Sequence, residues 1–552
     1  MSGPVFPPDQ PVDFLVIGAG AAGGVVAKEL STAGFSVVVL EQGPWLHEQD
    51  YRHDEIRYTF EPGLTNDPRL QPVTWRRSEN EPARRIKAIE YGRQVGGGSV
   101  HFTANYWRFH ESDFHERSLF GPISGADLAD WPITYSDLEP YYTKAEYDLG
   151  ISGLAGANPF EAPRSKPYPL PPMPVKSSGV LFERATKKLG LHPFPAPVAI
   201  LSQPYQGRAA CVNCGFCESF GCEMGAKSST LVSVIPTAAK TGRCEIRPGC
   251  YVRKIETDDN GRVTGATYFD ENRREVSQRA KAVFVCANGV ETPKLLLLSK
   301  SKRFPDGLAN SSGLVGKYLM WDNGAEALGL FEHPLNEYKG IQVTRLIHDY
   351  YAADPKRGFY GGAGIDARFD YYAAGFALHA LPPDVPTWGS EFKQTFETYF
   401  TRSMTLLSHS TSLAMEKSTV TLDPDTKDDW GLPAVRITYD LHPDDTATIK
   451  WALDRQVEIL QAAGAKKTWI TPWGLTDVMP SRHLMGTCRM GSDPRRSVVN
   501  SWSRAHDVPN LFIVDGSNFV TSGRQQPTAT IQALAYRAAE FAANAAKRGE
   551  LS

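Results

Sequence analysis

The chain has no excess of either charge: 59 Lys and Arg stand against 62 Asp and Glu, a net charge of −3. Nucleic-acid binders are usually markedly basic, so a general nucleic-acid partner is excluded. Long apolar runs are also missing. A membrane span needs roughly 20 apolar residues, and the most apolar stretch, FLVIGAGAAGGVV at 14–26, is short and broken by glycine. The N-terminus, MSGPVFPPDQPVDF, lacks a basic segment followed by an apolar one, so no signal peptide is expected. That favours the cytoplasm, with export beside a signal-bearing partner as the alternative. No fixed-period repeat or low-complexity tract is evident. Cysteine is scarce, at 8 residues, yet four of them fall within CVNCGFCESFGC, 211–222. The 41% apolar content supports large buried cores, and 552 residues imply more than one domain.

The segment VDFLVIGAGAAGGVVAKELSTAGFSVVVLEQGP opens with an apolar strand, VDFLVI. A turn follows with Gly18, Gly20 and Gly23 in G-x-G-x-x-G spacing, then a helix, then a second strand, SVVVLE, ending at Glu41. This is a complete βαβ unit. Its glycines let the backbone approach a pyrophosphate seated at the positive helix N-terminus. Glu41 stands about 20 residues beyond the turn, where a carboxylate can accept a hydrogen bond from a ribose hydroxyl. The unit does not by itself separate NAD from FAD. Its place near the start of the sequence leans toward FAD.

Four further segments follow: YGRQVGGGSVHFTANYWRF (91–109), VFVCANGVETPKLLLLS (283–299), HLMGTCRMG (483–491) and VDGSNFVTSGRQQPTATIQALAYR (514–537). Together with the βαβ unit, and in this order, they resemble the glucose–methanol–choline (GMC) flavin oxidoreductases over nearly the whole chain. DWPITYSDLEPYYTKAEYDLGISG (130–153) and CGFCESFGCEMGAKSS (214–229) look like the bacterial gluconate 2-dehydrogenase and FAD-glucose dehydrogenase flavoproteins within that family.

The resemblance implies a set of site residues. Gly97 and Gly98, in a run of three glycines, would lie beside the isoalloxazine and pyrophosphate, where a backbone without Cβ atoms suits a flat ring. His101 resembles the histidine that some members bond covalently to the flavin; its other reading is a packed core histidine. Val252, in EIRPGCYVRKIE, matches the valine presented to the adenine. Asp515, in Asp-Gly-Ser, matches the ribityl–pyrophosphate region, although Asp-Gly is also an ordinary turn.

Flavin-dependent alcohol oxidation needs a base for the hydroxyl proton and a hydride path to flavin N5. Histidine is the side chain suited to proton transfer near neutral pH. His483 opens the segment that resembles the family's active site and is the expected base. The family's second catalytic position is usually His or Asn; here it falls on Gln526. An amide can donate and accept hydrogen bonds but cannot take up a proton at neutral pH. Gln526 is therefore expected to orient the substrate.

Cys211, Cys214, Cys217 and Cys222 are spaced C-x2-C-x2-C-x4-C. Disulfides this dense would make strained small loops, and no secretion signal accompanies them. Four-cysteine zinc sites usually pair two knuckles across a longer loop. The spacing is close to the ferredoxin run. The related sugar dehydrogenases carry an iron–sulfur cluster in this region, with different spacing, and work with a small subunit and a cytochrome. A [3Fe-4S] or [4Fe-4S] cluster is the expectation, against an inert cysteine loop.

The expected fold is an α/β FAD-binding Rossmann-like domain plus an α+β substrate domain with an antiparallel sheet. The FAD-binding part takes residues 1–130, 205–325 and 475–552; the substrate part takes 131–204 and 326–474. The expected function is an FAD-dependent dehydrogenase of a sugar, sugar acid or glycoside. An oxygen-using alcohol oxidase and a non-catalytic flavoprotein subunit are the rivals.

Overall fold

The structure, a computed structural model, describes residues 5–61, 64–87, 89–321, 323–471 and 482–551. The first of its three sheets has seven strands. Cys244–Arg247, Val37–Leu40, Val12–Ile17, Glu275–Val285 and Leu511–Ile513 run parallel in that spatial order. Val12–Ile17 is buried almost throughout, as a parallel strand covered on both faces must be. Glu275–Val285 changes partner along its length. Residues 275–279 pair antiparallel with Val263–Phe269, and residues from 280 onward pair parallel with Val12–Ile17. The second half ends in the apolar VFV run, which is fully buried.

The helix Ala21–Thr32 follows the first glycine turn, with Gly20 at its N-cap. It packs against Thr528–Lys547, whose buried residues are largely alanine and so allow close approach. Because the strands are parallel, their ends coincide: Ile17, Leu40, Val285 and Ile513 all finish at one edge. Ligands of open parallel sheets bind outside that edge.

The second sheet is antiparallel and six-stranded, in the order Lys467–Ile470, Asn323–Leu330, Ser403–Ser410, Ala363–Arg368, Arg345–Ile347 and Phe194–Pro195. One face packs on the helix Pro443–Ala462. Ala325, Ala327, Ile365, Ala367, Met404 and Leu406 form a core there with Ile449 and Leu453. Side chains alternate between the faces of a strand. Glu326, Arg368, Leu407 and His409 therefore project from the opposite face. This is the α+β half expected from the sequence.

The third sheet has four strands: Thr419–Lys427, Pro433–Thr438, Val73–Arg76 and Arg84–Ile86. Pro433–Thr438 thus does not join the large antiparallel sheet. It runs parallel to Val73–Arg76, because Val435 and Ile437 share a core with Val73 and Trp75. Residues 73–86, which the sequence reading placed in the FAD-binding part, are tied to residues 419–438. The boundary set at 474/475 lies outside the described residues. Among those described, no helix is long and apolar enough to cross a membrane.

Candidate active site

The sheet edge and the polar face of the antiparallel sheet enclose one cavity of about 1820 Å³. Gly18, Gly20, Glu41, Gly97, Gly98, His101, Val252, Asp515, His483 and Gln526 all line it. Of the residues expected at the cofactor or the chemistry, only Gly23 does not. A Cβ on Gly23 would lie 1.8 Å from the Gly18 carbonyl oxygen. The third glycine therefore serves the packing of helix against turn and does not face the cofactor space.

Gly18 has a φ of +96°, and a Cβ there would sit 2.6 Å from the carbonyl oxygen of Cys286. Gly97, at φ +54°, approaches Gly20 so closely that a Cβ would lie 2.7 Å from the Gly20 Cα. Gly98 beside it faces open space. Two glycine turns thus meet at the N-terminus of Ala21–Thr32, where a pyrophosphate is favoured by free N–H groups and the helix dipole.

Glu41 is buried at the end of Val37–Leu40. Its Oε2 accepts the N–H of Ala19 at 2.9 Å and its Oε1 accepts that of Gly43 at 2.9 Å. Burial nevertheless pushes its carboxyl up to about 7, against those hydrogen bonds. Asp515 is anchored by the Thr292 hydroxyl at 2.6 Å and the Ser517 N–H at 2.7 Å. These residues fit the nucleotide half of FAD: a glycine cradle, an acceptor for a ribose hydroxyl, and Val252 on the wall.

His101 is buried, and its Nε2 has no hydrogen-bond partner. Burial and the nearby Arg482 and Lys227 charges depress its imidazole to about 3, so the ring is neutral. Opposite stands the polar face of the antiparallel sheet. The His409 ring lies 6.3 Å from that of His483. Gln526 Nε2 is 2.6 Å from His409 Nε2, which also lies 3.0 Å from Arg368 Nη2. Arg368 is held by Asp366 through two contacts of 2.6 Å. The sequence reading missed His409, Arg368 and Asp366. Nothing in SMTLLSHS distinguishes His409 from the other twelve histidines; only strand register turns it toward the cavity.

Cys211, Cys214, Cys217 and Cys222 are all free thiols and border one small cavity, together with Phe216 and Lys227. Among the described residues no group of three or more His, Cys, Asp or Glu is gathered so as to hold a metal ion. The backbone there is sharply turned: Asn213 and Ser219 have positive φ, as does Gly215. The Asn213 N–H donates to the Cys211 Sγ at 3.3 Å. Lys227 Nζ fastens the loop by donating to the carbonyls of Cys217 at 2.6 Å and Phe220 at 2.8 Å. Ser219 N–H donates to the His101 carbonyl at 2.8 Å, and Glu218 and Ser219 line the large cavity. The cysteine loop therefore abuts the wall that carries His101.

Residues 12–320 match the N-terminal family model, and residues 414–535 the C-terminal one, both described as GMC oxidoreductase. The chain belongs to the GMC oxidoreductase family. The 2-methyl-1,2-propanediol dehydrogenase of Mycolicibacterium austroafricanum is 38% identical over 539 residues, 96% of this chain and 94% of that protein. The gluconate 2-dehydrogenase flavoprotein of Pantoea cypripedii is 29% identical over 96% of this chain and 93% of its own. Among solved structures, the pyridoxine 4-oxidase of Mesorbium loti superposes with a TM-score of 0.65 at 18% identity, covering 96% of this chain and 98% of its own. As a GMC member the protein is an FAD-dependent oxidoreductase of alcohol- or sugar-type substrates.

Glu41 generates a pH test. Its folded carboxyl titrates near 7, and in the unfolded chain it returns to the ordinary value near 4.5. Between those values the folded form holds a proton that the unfolded form has lost, so this group's contribution makes stability fall as pH rises. Glu41→Gln removes the effect. The thermal stability of the apo variant, measured relative to apo wild type, should improve from pH 4.5 to 7, by up to about 3 kcal/mol, and then level off. A difference that stays flat across this window contradicts the assignment.

Proposed function

We propose that the protein is a dehydrogenase that oxidises one hydroxyl of a polyol or sugar-like substrate and passes the electrons to an external acceptor. The observation that carries this reading is that His483 shares one cavity with the glycine cradle and His101. When bound there, FAD supplies the acceptor for the hydride leaving the carbinol carbon. His483 takes the hydroxyl proton as general base. Gln526 orients the substrate, and the sheet residues behind it limit the space and exclude water.

Replacing His483 by Ala should lower the rate of flavin reduction by alcohol by roughly 10²–10⁴-fold with the flavin content unchanged. Rapid-mixing absorbance measurements check this; an unimpaired variant removes His483 from the chemistry.

His101 is proposed as the covalent attachment point of the flavin. Its neutral ring and its buried Nε2 without a partner support this. On a denaturing gel, flavin fluorescence should stay with the wild-type chain and leave the His101→Ala chain. Fluorescence that leaves both shows a non-covalent cofactor.

The cysteine loop is proposed to hold an iron–sulfur cluster through Cys211, Cys214, Cys217 and Cys222. Four free thiols around one cavity and an N–H aimed at a sulfur support the proposal, and thiolates are the ligands such a cluster uses. A cluster would supply one-electron steps between a two-electron cofactor and a single-electron acceptor such as a cytochrome, with a small subunit as the further partner. Cys217→Ser should lose iron and the broad absorbance beyond the flavin bands, keep flavin reduction by alcohol, and slow transfer to a one-electron acceptor. An iron-free wild type overturns this part and leaves an inert cysteine loop.

A further inference from the structure

The strand Ala363–Arg368 runs along the polar wall of the cavity and then leaves it. Gly364 pairs with His409 and Arg368 with Thr405, so the chain moves away from His409 as it advances. A hairpin of a few residues would return it to its sheet neighbour, Ser403–Ser410. Instead residues 369–402 intervene and carry two helices, Ala373–His379 and Gly389–Arg402. Connections this long inside a compact domain commonly carry function. The part nearest the sheet extends the polar wall: Asp370, Tyr371 and Tyr372 line the cavity beside Glu326 and Arg368, and the Tyr371 hydroxyl donates to Glu326. The part beyond it changes character. Ala377, Leu378, Leu381, Pro382 and Val385 line the same cavity, joined by Ile470 from the end of the edge strand.

The fold leaves this apolar wall uncovered. Phe376 and Ala380, one turn apart on their helix, pack into a core with Phe369 and Trp469. Leu378 stands two residues from each, about half a turn round the helix, and so faces away from that core. It is 54% exposed and Ile470 is 42% exposed. Trp388, just past the last lining residue of the connection, is 83% exposed. Single exposed apolar side chains are ordinary on a protein surface, but several gathered along one wall of a cavity make a place for an apolar group. That wall belongs to the cavity that holds His483 and is joined to it through residues 368–372. The molecule that reaches His483 can therefore cover it.

Resting on the alcohol-oxidising reading above, we propose that the substrate is amphiphilic: a hydroxylated, polyol- or sugar-like head with an apolar substituent. The head meets His483 and lies along Asp370 and Tyr371, and the substituent lies on Leu378, Val385 and Ile470. The connection between the two strands is thus the segment that sets specificity, and the substituent takes no part in the transfer of proton or hydride.

The test is anaerobic reduction of the purified holoenzyme's flavin, followed by absorbance at rising probe concentration. Two series serve as probes, kept below micelle formation: glycerol with its 1-O-methyl, butyl and hexyl ethers, and D-glucose with its methyl, hexyl and octyl glucosides. A fully buried methylene is worth about fourfold in affinity, and a wall open to solvent on one side keeps part of that. The second-order rate constant should therefore rise at least about 10-fold from the methyl to the hexyl member of a reacting series, through tighter binding and not through a faster limiting rate. Leu378→Gln combined with Ile470→Gln, two exposed positions, should cut that ratio to below about threefold, with the flavin-to-protein ratio confirming that the variant folds. Leu119→Gln, equally exposed but outside the cavity, should keep the wild-type ratio. A ratio that is flat in wild type, one that survives the double variant, or parents that react while every alkyl derivative fails overturns the proposal and leaves alcohol oxidation standing. A flavin left oxidised by every probe overturns the underlying reading, and the proposal with it.

Discussion

The backbone of Gly97 lies against that of Gly20, at a separation that leaves no room for a Cβ between them. Everything else in the site depends on this contact. It brings the loop at 96–101 onto the first turn of the parallel sheet, so one surface carries both the helix N-terminus and His101. Gly18 and Gly23 permit the turn that makes the contact possible. Gly18 accepts a left-handed backbone beside the Cys286 carbonyl, and Gly23 lets its own helix close over the Gly18 carbonyl. Close backbone approach is what glycine provides, at an entropic cost that only a packed or ligand-bearing site repays.

The other wall is held by buried polar groups. Arg524, fully buried, bonds Asp113 at 3.1 Å and Glu116 at 2.8 Å, and also reaches Thr411 at 2.9 Å. It ties the segment that carries Gln526 to residues 113–116 and to the end of the strand that carries His409. A buried pair of this kind contributes little net stability over an apolar replacement, yet losing one partner costs about 3–5 kcal/mol. Its value here lies in position: Gln526 and His409 meet only if both segments are fixed. Arg368 and Asp366 repeat the device one layer further into the sheet. Burial works to raise the Asp366 carboxyl, and the Arg368 guanidinium outweighs it, so the pair stays ionised.

The first half of the site was legible in the sequence because its physics is local. G-x-G-x-x-G, the apolar strands around it and Glu41 lie within about one βαβ unit, and each has a residue type that chemistry requires. His483 was legible only through likeness to a family segment. Gly23 was misread as facing the cofactor, since spacing alone does not separate a glycine that makes room for a ligand from one that makes room for a neighbouring carbonyl. His409, Arg368 and Asp366 were invisible. They come from two strands that pair across about 40 residues, and their shared face follows from register, which no local pattern fixes. The third sheet was invisible for the same reason: Pro433–Thr438 finds its parallel partner at 73–76, more than 350 residues away.

Glycine cradle, flavin ring and base are proposed to share one cavity. A crystal structure of the FAD-bound protein tests that most directly. It should place the flavin ring between the Gly97–Gly98 loop and the face that carries His483 and His409, with the His483 imidazole within reach of a hydroxyl positioned over the ring. A ring bound elsewhere, or a His483 side chain turned away from it, contradicts the mechanism whatever the identity of the substrate.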